Sequence, residues 1–393
     1  MSSERGRLLV VDDVEANRDL LTRRLRQLGH SVTSVASGRG ALDIVEKQEF
    51  DLVLLDIMMP EMDGYEVLAR LQGNPERKHI PIIMISAVDE IDSVVKCVEL
   101  GATDYLPKPF NAVLLKARVN ATLEKKRLRD REQLHARSLE REMEIGRQIQ
   151  ASFLPGRLPT PDGWEIAAFF RPARQVAGDF YDAFTLKSGR VGIVIADVCD
   201  KGVGAALFMA LFRTLIRAAS ELVEPSLAGM TDPAERAAAR VTNAVALTND
   251  YIARTHGDAN MFATLFFGVL DPKTGLLTYI NGGHEPPVLI TAGGSVTRLP
   301  PSGPALGLAP EQNFEVRRVE MHSGDLFLGF TDGVTESRSP SRDVFGEDRL
   351  LALLSPREAS ASALLARIEA AVSAHAAGEE SFDDVTMLAV RRD

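Results

Sequence analysis

Cysteine is scarce in this chain of 393 residues, which holds only Cys97 and Cys199. The two fall in different candidate domains, which excludes a disulfide framework or a thiolate metal site and fits a reducing compartment. Long apolar runs are missing as well: no stretch approaches the roughly 20 residues of a membrane span. The opening Met-Ser-Ser-Glu-Arg-Gly-Arg carries no apolar signal-peptide core. The expectation is a cytoplasmic protein with no membrane partner. Positive charge is not in excess either, since 45 Lys and Arg face 55 Asp and Glu for a net charge of −10. Duplex affinity rests on lysines and arginines meeting phosphates, so no nucleic-acid partner is expected, and no helix-turn-helix pattern is present. Internal repeats and low-complexity tracts are absent. The rest, 45% hydrophobic and 25% charged, suits a folded chain of two or three domains.

What the chain does have is carboxylates where apolar runs end. Asp12, Asp13 and Asp56 form one set; Asp179, Asp197, Asp332, Asp383 and Asp384 form another. Carboxylates gathered at the ends of buried strands repel one another unless a hard cation neutralises them, so each set reads as a metal site.

Up to about residue 120, short apolar runs such as Leu8 to Val11, Leu52 to Leu55 and Ile82 to Ile85 alternate with helical spacing, as from Asn17 to Leu28. This βα alternation predicts a doubly wound, five-stranded parallel sheet with ligand sites at the carboxyl ends of its strands. Asp12, Asp13, Asp56, Ser86 and Lys108 all lie there. From 121 to 153 the text is charge-dense, without Pro and with Gly146 alone, and its apolar residues recur every four to six positions. That predicts a long helix, and two arrangements fit its irregular heptads: a two-stranded coiled coil forming a homodimer, or a single helix packed on its own protein. The basic run Lys125 to Arg129 reads as a solvated face. Pro155, Pro159 and Pro161 end the helix. Beyond Trp164, grouped strands and grouped helices, including Ala205 to Leu222 and Pro233 to Thr255, predict an α+β sandwich of sheets flanked by helices. The expected domains are therefore 1–120, a helical linker at 121–156, and 157–393.

The acidic pair after strand one, Asp56 ending Leu54-Leu55-Asp56-Ile57-Met58-Met59-Pro60, the hydroxyl of Ile85-Ser86-Ala87, and Lys108-Pro109-Phe110 together resemble a two-component receiver domain. The resemblance implies that Asp56 accepts a phosphoryl group. It also implies that Asp12, Asp13, Asp56 and the Met58 carbonyl hold Mg²⁺, that Ser86 and Lys108 contact phosphoryl oxygens, and that Tyr105 is the switch aromatic. The chemistry agrees, because a carboxylate nucleophile needs the incoming phosphoryl charge neutralised.

Four further segments, Gly178-Asp179-Phe180-Tyr181-Asp182, Asp197-Val198-Cys199-Asp200-Lys201-Gly202, Thr331-Asp332-Gly333 and Phe382-Asp383-Asp384-Val385-Thr386, resemble the metal-dependent PPM/PP2C protein phosphatases in their SpoIIE-type branch. Asn281-Gly282-Gly283-His284-Glu285-Pro286-Pro287 resembles another motif of the branch, and Ile149-Gln150-Ala151-Ser152-Phe153-Leu154-Pro155 the segment that leads into it. The resemblance implies two Mg²⁺ or Mn²⁺ ions. Asp197 would bridge them, assisted by the Val198 carbonyl, by Asp179, Asp332 and Asp383, and by Asp384 beside them. A metal-held water would then be the nucleophile that removes phosphate from serine or threonine. By itself Thr-Asp-Gly is a weak signal, since Asp-Gly is a frequent turn.

The chain departs from the branch at Cys199-Asp200, where Ser-Gly is common. Larger relatives carry a histidine proton donor there, and Cys199 takes its place. Cys199 reads as a packing residue, Asp200 as either solvent-facing or a weak ligand, Lys201 as a solvated side chain or a phosphate contact, and His284 as part of a rigid turn or a substitute proton donor. Joined, the two resemblances imply a response regulator in which phosphorylation of Asp56 controls the phosphatase. Its partners would be an upstream histidine kinase or phosphotransfer protein and a phosphorylated regulatory protein, an anti-sigma factor antagonist in partner-switching signalling. The alternative is a receiver-controlled adaptor whose phosphatase-like domain is degenerate and sequesters a partner.

Overall fold

The computed structural model describes residues 5–87, 91–222, 231–355, 360–379 and 383–393. The chain divides into two units, 1–139 and 140–393. In the first, the elements are β1 (Arg7–Val11), α1 (Glu15–Gln27), β2 (Ser31–Val35), α2 (Gly38–Lys47), β3 (Leu52–Asp56), α3 (Gly64–Gly73), β4 (Ile82–Ala87), α4 (Ile91–Glu99), β5 (Asp104–Lys108) and the start of α5 (Ala112–Phe153). The strands form one parallel sheet in the order β2-β1-β3-β4-β5. Side chains alternate across a strand, so the continuous apolar runs serve both faces. Leu9, Val11, Val53 and Leu55 meet the α2 and α3 side, and Leu8, Val10, Leu52 and Leu54 meet α1 and α5. Ser37 and Asp63 cap α2 and α3 by accepting from the Gly40 and Glu66 N–H groups.

The expected boundary at residue 120 has no structural mark. α5 is one 42-residue helix that begins at Ala112. Leu115, Val119 and Leu123, spaced by four, bury against the sheet and carry the helix through that point. Further along, Leu128, Leu134 and Leu139 are exposed, so they do not pack on their own chain.

The second unit holds β6 (Trp164–Arg171), β7 (Phe180–Thr185), β8 (Val191–Val198), α6 (Val203–Glu221), α7 (Pro233–Thr255), β9 (Ala263–Leu270), β10 (Leu276–Gly282), β11 (Val288–Ile290), β12 (Val296–Arg298), β13 (Arg317–Glu320), β14 (Leu326–Phe330), α8 (Asp332–Thr335), α9 (Glu347–Ala352), α10 (Ala361–Ala376) and β15 (Val385–Arg392). Two antiparallel sheets, β13-β10-β9-β8-β7 and β12-β11-β14-β15-β6, face each other across a core of Ile193, Phe266, Phe327, Leu388 and their neighbours. α6 and α7 cover the outer face of the first sheet, and α9 and α10 that of the second. The result is the four-layer sandwich expected of the fold class.

α6 is 19 residues long and apolar enough by length and composition to cross a membrane. Ala205, Met209, Phe212 and Ile216 turn one face of it into the core. Arg213 Nη2 and Arg217 Nη1 reach the buried Asp182 Oδ2 of β7 at 2.9 and 3.4 Å. Asp182, read as part of an acidic motif, is thus the anchor that ties α6 to the sheet.

Candidate functional site

In the first unit the parallel topology brings the acids together. β1 and β3 are neighbours, so Asp12, just past β1, and Asp56, the last residue of β3, emerge side by side at the carboxyl edge. The side-chain oxygens of Asp12, Asp13 and Asp56 lie within 4.8 Å of one another. Lys108, ending β5, places its Nζ 2.8 Å from Asp56 Oδ2 and 3.0 Å from Asp12 Oδ2. Burial raises the Asp56 pKa and Lys108 opposes the rise. For Lys108, burial works against the charge, but the hydrogen bonds to Asp56 and Asp12 outweigh it and the pKa rises. Ser86 stands opposite Pro107 in the β4–β5 register, next to the pair Ala87 and Lys108. Tyr105 packs on the α2 and α3 side of the sheet, and the Met58 side chain is exposed. Three acids facing one ammonium leave negative charge to spare, which fits a divalent cation. Gly64 is part of this site as well, through a close backbone approach that no motif signals. A Cβ there would lie 2.2 Å from the Asp56 carbonyl oxygen, so α3 can start beneath the acid only with glycine.

In the second unit, register rather than strand order gathers the acids. Phe180 pairs with Ala196, so one step further Asp179 faces Asp197 at the ends of β7 and β8. In the other sheet Phe330 pairs with Met387, which aligns Thr331 with Thr386 and brings Asp332 to the start of β15, beside Asp383 and Asp384. Thr331 Oγ1 and Thr386 Oγ1 both donate to Asp179 Oδ2 at 2.7 Å. The backbone N–H groups of Ala173 and Gly178 donate to the two oxygens of Asp384 at 2.7 and 2.9 Å. Lys201 Nζ sits 2.7 Å from Asp383 Oδ2, a place neither of its two expected roles foresaw. Phe382, named in the same motif, lies outside the described residues.

The electrostatics of this cluster are those of an acid set short of cations. Burial first, then Asp197 and Asp384, hold the Asp179 pKa well above the carboxylate range. Asp197 is pushed up to about 7 by burial and by Asp332, although it shares a hydrogen bond with Asp179. Asp332 is pushed up to about 6 by burial and by Asp383. Such a set is relieved by divalent cations, and aspartate oxygens suit Mg²⁺ or Mn²⁺. Among the described residues, however, only the Asp12–Asp13–Asp56 group draws three acid side chains within 4.8 Å.

The departures from the branch now have physical explanations. Asp200 has φ +71°, the left-handed region that glycine adopts without strain. Its carboxylate is exposed and accepts from the Lys201 N–H at 2.8 Å. Cys199 donates its backbone N–H to the Phe262 carbonyl and accepts the Phe262 N–H at its sulfur, and burial raises its thiol pKa, so it is not an activated nucleophile. His284 is buried, its Nδ1 lies 2.9 Å from Thr264 Oγ1, and burial lowers its pKa to about 3. It is a neutral strut of the Asn281 turn, whose side chain binds both the N–H and the carbonyl of His284. Gly333 does not make a turn. It lies inside α8, where a Cβ would come 1.9 Å from the Asp384 carbonyl oxygen. Gln150, in the segment that leads into the sandwich, carries no motif signal of its own and braces the backbone just before Asp179. Its Nε2 donates to the Ala177 carbonyl at 2.6 Å, and its Oε1 accepts from the Ala177 N–H at 3.0 Å, two residues before Asp179.

Residues 187–393 match the family described as Stage II sporulation protein E (SpoIIE), and residues 8–120 match the response regulator receiver domain. The chain is 46% identical over 262 residues to Protein IcfG of Synechocystis sp., covering 64% of this chain and 41% of that protein. It is 32% identical over 260 residues to Response regulator PleD of Caulobacter vibrioides, covering 63% of this chain and 56% of that one. The chain thus spans about half the length of these curated relatives. The SiaA-PP2C domain of Pseudomonas aeruginosa superposes with a TM-score of 0.53 at 21% identity, covering 66% of this chain and 99% of that domain, a likeness of fold. With a receiver domain ahead of its PP2C-like sandwich, this chain belongs to the SpoIIE family.

Proposed function

We propose that this chain is a response regulator in which phosphorylation of Asp56 controls a metal-dependent phosphatase acting on phosphoserine or phosphothreonine of a regulatory protein, an anti-sigma factor antagonist. The observation that carries the reading is the convergence of the buried Asp179 with the half-buried Asp197 and Asp332, all with raised pKa values, at one end of the sandwich. Asp197, Asp332, Asp383 and Asp179 would hold two Mg²⁺ or Mn²⁺ ions with the Val198 carbonyl. Asp12, Asp13, Asp56 and the Met58 carbonyl would hold one Mg²⁺. When bound, the phosphatase ions would supply Lewis acidity and a water-derived nucleophile at neutral pH. The residues of the chain do the positioning. Thr331 and Thr386 fix Asp179, the Ala173 and Gly178 amides fix Asp384, and Lys201 balances Asp383. Since the oxygens of Asp384 are already committed to backbone amides, we assign it to bracing rather than to direct ligation.

On the receiver side, Asp56 is the nucleophile, and the Lys108 ammonium that bridges it to Asp12 is placed to follow a phosphoryl oxygen. Control of the phosphatase would run through α5, because Gln150 grips the backbone just before Asp179. A shift of that helix end is felt at the acid cluster without any further contact, and the receiver can bias it only by its differential free energy for the two arrangements. The upstream partner would be a histidine kinase or phosphotransfer protein. The test is to screen phosphorylated regulator proteins with the wild type and Asp56→Ala, each with and without a small phosphodonor. Equal turnover in all four conditions removes the control, and no turnover of any phosphoserine protein removes the substrate class.

One observation favours the second reading, an adaptor with a degenerate phosphatase domain. The Lys201 ammonium stands on Asp383, where a metal ligand is expected. If the adaptor reading holds, Lys201→Met still gives no manganese-dependent hydrolysis; if the enzyme reading holds, Lys201→Met binds manganese more tightly than the wild type.

A further inference from the structure

At the opposite edge of the receiver sheet from Asp56, where β4 and β5 begin, lies a cavity of about 250 Å³. Lys78 and His79, in the turn before β4, face Thr122, Lys125, Lys126 and Arg129 of α5 across it. No carboxylate lines it among the described residues. Lys126 is committed to Asp130 at 2.5 Å, with Asp51 at 3.8 Å. Lys78, Lys125 and Arg129 make no ion pair among the described residues. This is the run that reads from sequence as a solvated face, and the fold turns part of it inward: the Lys126 side chain is only 12% exposed and Thr122 is buried.

In a chain of net charge −10, three exposed cations without an ion pair among the described residues gather around one concavity, a local positive field that draws an anion. Arginine offers a planar fork of donors and lysine a point charge, the pair of chemistries that phosphate oxygens take. The volume falls below the roughly 300–1,000 Å³ of drug-sized pockets, which selects a compact ligand over a polymer. A carboxylate has too few oxygens to reach cations on two separate walls, whereas linked phosphates span them. We propose that this cavity binds a diphosphate group, free or carried by a nucleotide, and so cross-links the turn before β4 to the root of α5.

The test is calorimetric titration of the full chain with inorganic pyrophosphate in the presence of a chelator, so that the acidic clusters cannot recruit a metal complex. Wild type is compared with the double variant Lys125→Ala/Arg129→Ala and with Lys187→Ala, an exposed lysine of the β7–β8 turn. Lys125 and Arg129 are exposed, so the double variant should fold, and a melting curve checks this. The expected result is one site per chain, weakened by roughly tenfold or more in the double variant and unchanged in Lys187→Ala. A parallel titration with ADP separates the sources: equal affinity means that the diphosphate alone is read, and tighter binding means a nucleotide. Absence of a saturable site at millimolar pyrophosphate, or equal affinity in wild type and double variant, overturns the proposal.

Discussion

The two acid clusters of this chain are built on different supports. In the receiver, neighbouring parallel strands deliver Asp12 and Asp56 to one edge, and a single ammonium, Lys108, bridges both. In the sandwich, the acids come from the ends of strands in two sheets, and most of their support is neutral: two threonine hydroxyls on Asp179 and backbone amides on Asp384. A charged support would respond to a change of charge on Asp56, as the proposed phosphorylation requires. A neutral, register-based support holds acids in place without cancelling the negative field that attracts cations, and it ties the cluster to the packing of the whole sandwich.

That contrast can be broken most severely at Asp197. Asp197→Ala should lower manganese-dependent phosphatase activity by about 10³-fold and remove the stabilisation by manganese seen in a thermal melt, while leaving receiver phosphorylation intact. Next is the anchor of α6. Removing Asp182 leaves Arg213 buried and unpaired, and Asp182→Ala should cost about 3 kcal/mol in urea unfolding. If the loss is only that of a surface pair, the register-based support is weaker than described. Gln150→Ala should cost about 2 kcal/mol by leaving the Ala177 amide and carbonyl unsatisfied. It should also lower activity and blunt the response to a phosphodonor, which a merely structural loss would not do.

The smallest effect concerns pH. The pKa of His284 is about 3 in the fold against about 6.5 unfolded, so between those values the unfolded chain binds a proton that the folded one refuses. Its contribution to stability is intact above pH 6.5 and is lost as pH falls toward 3, by about 1.4 kcal/mol per unit. The acid cluster works in the opposite sense. Asp197, raised to about 7, stabilises the metal-free fold at low pH and loses that contribution as pH rises through about 7. Urea melts of wild type and His284→Gln at pH 7, 6 and 5, with chelator, should therefore show the stability of the variant rising relative to wild type as pH falls, because the two terms oppose each other in the wild type and only the Asp197 term is left in the variant. Manganese should stabilise the wild type more at pH 7.5 than at pH 5.5.

Much of this was legible in the sequence, for a physical reason. The acids of both clusters stand at strand ends inside short motifs, and the switch from continuous apolar runs to helical spacing marks the elements that carry them. Thr331 and Thr386 could be read as motif letters but not as partners of Asp179, because only the register across both sheets joins residues 152 and 207 positions away. Gly333 was legible as a turn signal and proved to be a point of close approach to Asp384. The start of α5 was missed because charge density changes near residue 120 while the four-residue apolar spacing does not. Asp200 was an unexplained departure until its positive φ showed why glycine is common there. The basic run of α5 depended on which side of the helix the sheet occupies, which composition cannot tell.

The most direct measurement is the rate of manganese-dependent p-nitrophenyl phosphate hydrolysis by the full chain, with and without acetyl phosphate, in wild type, Asp56→Ala and Asp197→Ala. A rate that changes with acetyl phosphate in wild type, stays fixed in Asp56→Ala and vanishes in Asp197→Ala is the predicted result. The same rate with and without acetyl phosphate in wild type, or no hydrolysis with any divalent ion, would contradict a phosphatase under receiver control.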